Sequence, residues 1–242
     1  MSAFGSSTRD VAEDPHFVRI AAVLTGLGAL GVIATSACYA IAGPQAALPG
    51  GAVAVETARA ASMQAAGWMR AASLFGMPSD VLFTVGGLML AATRRGAGAG
   101  VAIAGWLALA IAGVLFTIVD SMVGFVLPPM AALVNGEAAY VGVRALFDVL
   151  FAIGAWTVGA GALAIAWSAH WPEYRSRTAL WLVRASGVIG VVANSAYLLG
   201  LPGARLIGPG VALGAVALLA LAIAVFRSSR GVAPSAARQA AA

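Results

Sequence analysis

The chain contains no lysine, one cysteine, two histidines and only 10% charged residues. A soluble domain carries about 25% charged residues, so a soluble globular fold is excluded. The single cysteine excludes an intramolecular disulfide, and Cys38 reads as a small helix-packing residue. All 14 basic residues are arginines scattered singly or in pairs, so the net charge of +5 does not form a nucleic-acid-binding surface. His16 lies in a polar N-terminal stretch and His170 beside an interfacial tryptophan. Neither is placed to share a site with carboxylates inside the apolar segments, which leaves no ligand set for zinc, haem or an iron–sulfur cluster. No cofactor is expected. No Ser-His-Asp or Cys-His arrangement fits, and no glycine-rich phosphate loop follows a strand.

What is present is apolar. The chain is 61% hydrophobic, with a mean hydropathy of +0.94. Six continuous apolar segments run from about Val18 to Ala42, Trp68 to Thr93, the glycines at 96, 98 and 100 to Pro128-Pro129, Val143 to Ser168, Thr178 to Leu201, and Leu206 to Phe226. Each is long enough to cross a hydrocarbon core of about 30 Å as a helix. The runs do not alternate, which excludes a membrane β-barrel. The predicted fold is all-α: a polytopic membrane protein with a single bundle of six transmembrane helices. Residues 1–17 are expected to form a cytoplasmic N-terminal tail, not a signal peptide. Residues 18–227 form the membrane domain and residues 228–242 a cytoplasmic C-terminal tail. The stretch between the first two spans, rich in Ala, Gly and Pro, reads as a loop.

Arginine placement sets the orientation. Arg9, Arg19, Arg94, Arg95, Arg175, Arg177, Arg227, Arg230 and Arg238 fall on one side, against Arg59, Arg70, Arg144 and Arg205 on the other. The positive-inside rule then puts both termini in the cytoplasm. Trp167, Trp171 and Trp181 bracket the fourth loop, as an aromatic belt at the inner interface does.

Function, if it is written anywhere, lies in three aspartates. Asp80, Asp120 and Asp148 stand inside apolar segments, where a centrally placed aspartate costs about 2.5–3.5 kcal/mol on insertion scales. Asp148 follows Arg144 by one helical turn and is expected to pair with it. Asp120 and Asn194 lie about 10 Å inside the outer ends of their segments, counting 1.5 Å per residue, and Asp80 lies deepest. Pro78 should bend the helix beside it. The expected arrangement is a polar funnel open to the outside, with Asp80, Asp120, Asp148 and Asn194 facing the interior. Arg70 and Arg144 stand at its rim, and Tyr197 is a supporting residue. The bland alternative is structural glue: Asp148 with Arg144, Asp120 crosslinking helices, and Asp80 bonding carbonyls freed by Pro78. Polar contacts between membrane helices average about 0.6 kcal/mol, which does not offset the insertion cost.

Carboxylates and carbonyls suit a hard cation or protons. The leading reading is therefore a small transporter or channel-like protein for a cation, protons or a polar small molecule. Its rivals are an accessory or regulatory subunit that binds another membrane protein or forms a homo-oligomer, and an intramembrane enzyme acting on a lipid. The enzyme is disfavoured because no nucleophile accompanies the aspartates. Asp80, with no arginine within a turn, is expected to serve binding, and Asp148 stability. Two weaker patterns remain. Asp80-Val81-Leu82-Phe83 recurs as Asp148-Val149-Leu150-Phe151, which composition bias explains at least as well as duplication. The pairs Gly96/Gly100 and Gly210/Gly214 have the spacing of helix-packing glycines.

Several stretches together resemble a family of small bacterial six-helix integral membrane proteins known only as a domain of unknown function. They are Arg19-Ile20-Ala21 at the first helix, Arg70 followed by Asp80, Phe147-Asp148-Val149, and Arg184, Gly187, Gly190 and Tyr197-Leu198 in the fifth helix. The basic and aromatic features of that family's third helix are poorly matched here. The resemblance implies the six-helix fold and no activity.

The orientation is testable with one engineered cysteine per loop in a Cys38→Ala background. A membrane-impermeant thiol reagent added from outside should spare the Arg94-Arg95 loop in intact cells; labelling there overturns the orientation.

Overall fold

The computed structural model describes residues 14–47, 54–96, 98–168, 171, 176–201 and 207–229. The two terminal tails predicted above fall almost wholly outside these residues. Among them the chain forms α1 (Pro15–Ala42), α2 (Pro44–Ala47), α3 (Val55–Gln64), α4 (Ala66–Ala92), α5 (Ala99–Phe125), α6 (Leu127–Ala132), α7 (Glu137–Trp167), α8 (Arg177–Leu198) and α9 (Ile207–Ser228). Six of these, α1, α4, α5 continuing into α6, α7, α8 and α9, give spans long and apolar enough to cross a membrane. The fold is an all-α polytopic membrane protein with one six-helix bundle.

Helix ends follow local chemistry. Asp14 caps α1, its Oδ1 accepting from the His16 N–H at 2.8 Å, and Pro15 occupies the first turn, where no donor is lost. Gly43, at φ 90°, ends α1 in a conformation other residues avoid. The Ser176 side chain caps α8 by accepting from the Ala179 N–H. Pro78 lies inside α4, and the helix continues through it.

Apart from the stretch between α1 and α4, which holds α2 and α3, connections between spans are short, and consecutive spans pack as neighbours. α1 lies against α4, α4 against α5, α5 against α7, α7 against α8 and α8 against α9; α9 then returns to α1 and closes a ring. The Arg19 guanidinium donates to the Ser229 carbonyl at 3.2 Å, tying the two ends of the described chain together at one end of the bundle. We call this the terminal end and its opposite the distal end.

Lipid supplies no hydrophobic drive between helices, so close packing of small residues must hold the ring. A Cβ on Gly28 would lie 2.7 Å from the Ser79 carbonyl oxygen. One on Gly161 would lie 2.8 Å from the Gly105 carbonyl, and one on Gly159 would lie 2.8 Å from the Val191 nitrogen. The glycine pairs singled out by spacing are not among these seams. Gly100 and Gly214 have nothing within 4 Å of a Cβ, and Gly96 serves a turn at φ 85°. Spacing in so glycine-rich a chain does not reveal which face meets a neighbour.

Two apolar layers fill the bundle. The terminal layer centres on Leu90, Trp106, Leu109, Ile165 and Leu221, and the distal layer on Met69, Val123, Leu127, Tyr140 and Phe147. Outward faces carry exposed Leu27, Phe75, Ile111, Ile153, Val192 and Val216, the expected lipid-facing surface.

The stretch between the first two spans is not simply a loop. α3 packs with α2 and α6 as a cap on the distal end. Arg59 Nη2 donates to the Ala131 and Leu133 carbonyls at 2.9 and 2.7 Å. The Tyr140 hydroxyl donates to the Ala58 carbonyl at 3.0 Å and lies 2.8 Å from Ser62 Oγ. These contacts come from the α6 turn and α7, so the helix owes its place to tertiary partners that local composition does not display.

Gly159→Ala should lower stability in detergent by about 1–3 kcal/mol, because its methyl meets backbone on α8. Gly100→Ala should be neutral or slightly stabilising, because a helical glycine costs about 1 kcal/mol against alanine. Thermal unfolding of the two variants checks the pair.

Candidate functional site

Asp80 lies midway along α4, about 21 Å from its start at 1.5 Å per residue. It is buried, as are Asp120 on α5 and Asn194 on α8. α4 and α5 run antiparallel: Gly76 faces Asp120, while Gly113 faces the Asp80 backbone. Asp120 therefore sits about one turn nearer the distal end than Asp80. Both residues stand on the α4–α5 seam.

Asp120 is held from three sides. Tyr39 of α1 donates its hydroxyl to Asp120 Oδ1, and Asp120 Oδ2 covers Gly76, where any side chain would displace it. Ser73 Oγ donates to the Asp120 backbone carbonyl. Tyr39 and Ser73 were not singled out from the sequence. A buried tyrosine hydroxyl needs a partner, and that requirement is the one signal that could have pointed from Tyr39 to an acid.

Asp80 and Asn194 line one partly open cavity of about 40 Å³ between the two apolar layers. All six spanning helices contribute to its wall. Ser186 is the third polar residue of the lining; Phe83, Phe116, Gly187 and Gly214 are typical of the rest. Asn194 Nδ2 donates to the Gly190 carbonyl at 2.7 Å. A carbonyl only accepts, so this bond fixes which end of the amide is nitrogen. Asn194 Oδ1 and Asp80 Oδ2 are both buried without a hydrogen-bond partner. Both residues belong to a cavity wall that is otherwise largely apolar.

The remaining sequence candidates lie elsewhere. Arg144 Nε donates to Asp148 Oδ1 at 3.2 Å, the expected pair one turn apart. Arg144 also donates to the Gln45 and Ala46 carbonyls at 3.2 and 2.8 Å, anchoring α2. Tyr197 is within electrostatic reach of this pair. Arg70 is exposed and lies over the Phe125 ring at 5.6 Å. Neither arginine lines the cavity. Between the cavity and the distal face, Met69, Ala72, Val119, Val123 and Phe147 are buried in the distal apolar layer. The funnel open to the outside is corrected accordingly: among the described residues, apolar packing under a helical cap occupies that path. The repeated tetrapeptides are not equivalent either, since Asp80 is central and Asp148 belongs to the distal Arg144 pair. Among the described residues no three His, Cys, Asp or Glu side chains gather as a metal-holding group.

Compared with family models, curated proteins and solved structures, the chain matches none. Of what the resemblance noted in the sequence implies, the structure shows the six-helix membrane fold.

Arg144→Ala should destabilise the protein more than Asp148→Asn. Losing the guanidinium removes three bonds and leaves a partly buried acid unpaired, whereas an asparagine oxygen still accepts from Arg144. Hydrogen bonds to charged groups contribute about 1.5–3 kcal/mol, and partial exposure places the effect at the lower end. Thermal unfolding of both variants, with equal losses as the contrary result, tests this.

Proposed function

We propose that the protein is a small inner-membrane carrier for an organic monocation, bound in the central cavity with Asp80 as counter-charge. The observation that carries the reading is a carboxyl and an amide, Asp80 and Asn194, on the wall of one largely apolar cavity, each with one buried oxygen that has no hydrogen-bond partner. A buried acceptor without a donor costs about 1–3 kcal/mol, so a ligand that brings N–H donors recovers that loss. A carboxyl in an apolar cavity further selects for positive charge.

The lining narrows the class. A calcium ion takes 6–8 oxygen ligands, whereas the described wall offers Asp80, Asn194 and Ser186 among apolar neighbours. An alkylammonium fits better: its head reaches Asp80 and Asn194, and its chain lies against Phe83 and Phe116. A binding site near the membrane midplane, built from helices on all sides, is where secondary transporters hold their cargo. The asymmetry of the arginines supports a topology with both termini in the cytoplasm.

Binding of n-butylammonium, n-hexylammonium and tetramethylammonium to purified protein, followed by thermal shift, tests the reading, with n-hexanol as the neutral control. The primary ammonium ions should stabilise the protein and hexanol should not; a ligand at 100 times its Kd adds about 2.7 kcal/mol. Asp80→Asn should fold and lose the shift, and proteoliposomes bearing wild-type protein should take up the bound ammonium. Full binding by Asp80→Asn, or no ammonium binding at all, overturns the proposal.

A further inference from the structure

We infer that the Asp80–Asp120 pair makes cation binding an exchange: each monocation that enters the cavity expels one proton from Asp80 to water. The inference rests on the cavity being a cation site, and adds to it a second species that moves in the opposite sense.

The geometry of the pair is the starting point. Asp80 lines the cavity, and Asp120 lies about one helical turn from it on the α4–α5 seam. Among the described residues, no arginine is hydrogen-bonded or ion-paired to either group. From α1 come Tyr39, whose hydroxyl donates to Asp120, and Cys38 beside it. α7 brings Arg144 and Asp148, which are committed to each other and to α2. Among the cavity-lining residues, α8 contributes the uncharged Asn194 and Ser186, and α9 contributes Gly210, Val211, Gly214, Ala215 and Leu218. Arg70 of α4 lies over Phe125. Two adjacent carboxyls cannot both ionise without a cation, and even one isolated charge at this depth is costly. The empty pair is therefore neutral and holds two protons.

A monocation changes the balance. It enters beside Asp80 and makes the carboxylate the favourable form of that residue. The O–H bond of Asp80 breaks, its electron pair stays on the oxygen, and the proton passes to water. The remaining proton, on Asp120, is donated to Asp80 across the α4–α5 seam, while Tyr39 keeps its bond to Asp120. The buried site carries zero net charge before and after, so neither state strands a charge in the membrane. Asp120 is thus a positioning residue: it steadies the carboxylate that forms and does not itself touch the cation.

Calorimetric titration of wild-type protein with n-hexylammonium, in two buffers of different protonation enthalpy, counts the protons. About one proton should appear per ligand bound, and affinity should rise about tenfold per pH unit while the pair still holds its exchangeable proton. The sign follows from competition: protons and cation contend for Asp80, so acid weakens binding. Asp120→Asn should bind with the same proton count, because its amide N–H replaces the donor to Asp80. Asp80→Asn should lose binding and release together. Where Asp80→Asn does not fold, the wild-type buffer comparison decides alone. Binding without proton release overturns the exchange and leaves the cavity reading standing. Release abolished in Asp120→Asn with binding retained overturns the assignment of the proton to Asp80. Absence of any n-hexylammonium binding overturns the cation site itself.

Discussion

The whole arrangement depends on backbone meeting backbone at a few glycines. In a bilayer, one helix gains nothing by hiding apolar side chains from lipid, so neighbours associate through dispersion contacts at short range. Gly28 on Ser79, Gly161 on Gly105 and Gly159 on Val191 bring consecutive spans close enough for this. The same closeness positions the polar residues. Asp120 fits between α4 and α5 because Gly76 presents no side chain there. Tyr39 then reaches Asp120 from α1. Widening either seam by one methyl group would dislodge the acid, so packing and the candidate site are one problem.

Polar groups in this bundle divide by what they find. Distal ones find everything they need: Arg59 has the carbonyls of α6, Tyr140 has Ala58 and Ser62, and Arg144 has Asp148 and α2. Central ones do not. Asp80 and Asn194 each keep one bare acceptor, in a layer where water is scarce and an unmade bond is costly. A structural role would have been served by pairing them, as the distal groups are paired. Both line the same cavity, and the proposed binding role rests on that placement.

Much of the fold was legible in the sequence because membrane spans declare themselves by length. All six segments reappear as helices, within a few residues at each end. The Arg144–Asp148 pair was also legible, since both partners lie on one helix and spacing alone decides the contact. What failed was anything requiring knowledge of a neighbour. The distal cap was hidden because α3 is only weakly apolar and is fixed by residues more than 70 positions away. The open funnel was an error of depth: helix rise orders residues along the normal but does not say what fills the space above them. The Tyr39–Asp120 contact spans 81 residues, and no local pattern announces it. Glycines at packing spacing misled for the opposite reason, because the chain has 30 glycines and most such pairs arise by composition.

Closure of the ring has a consequence for how the protein is made. Spans enter the bilayer in the order they are translated, and the seam between the first and the last closes only when α9 arrives. Until then Gly210, Val211, Gly214, Ala215 and Leu218 are missing from the wall beside Asp80. A nascent chain of five spans therefore presents an acid and an amide toward lipid, a defect that later synthesis repairs. Truncated or stalled chains carry that mark, and a membrane protease that senses polar residues in the bilayer can tell them from finished ones.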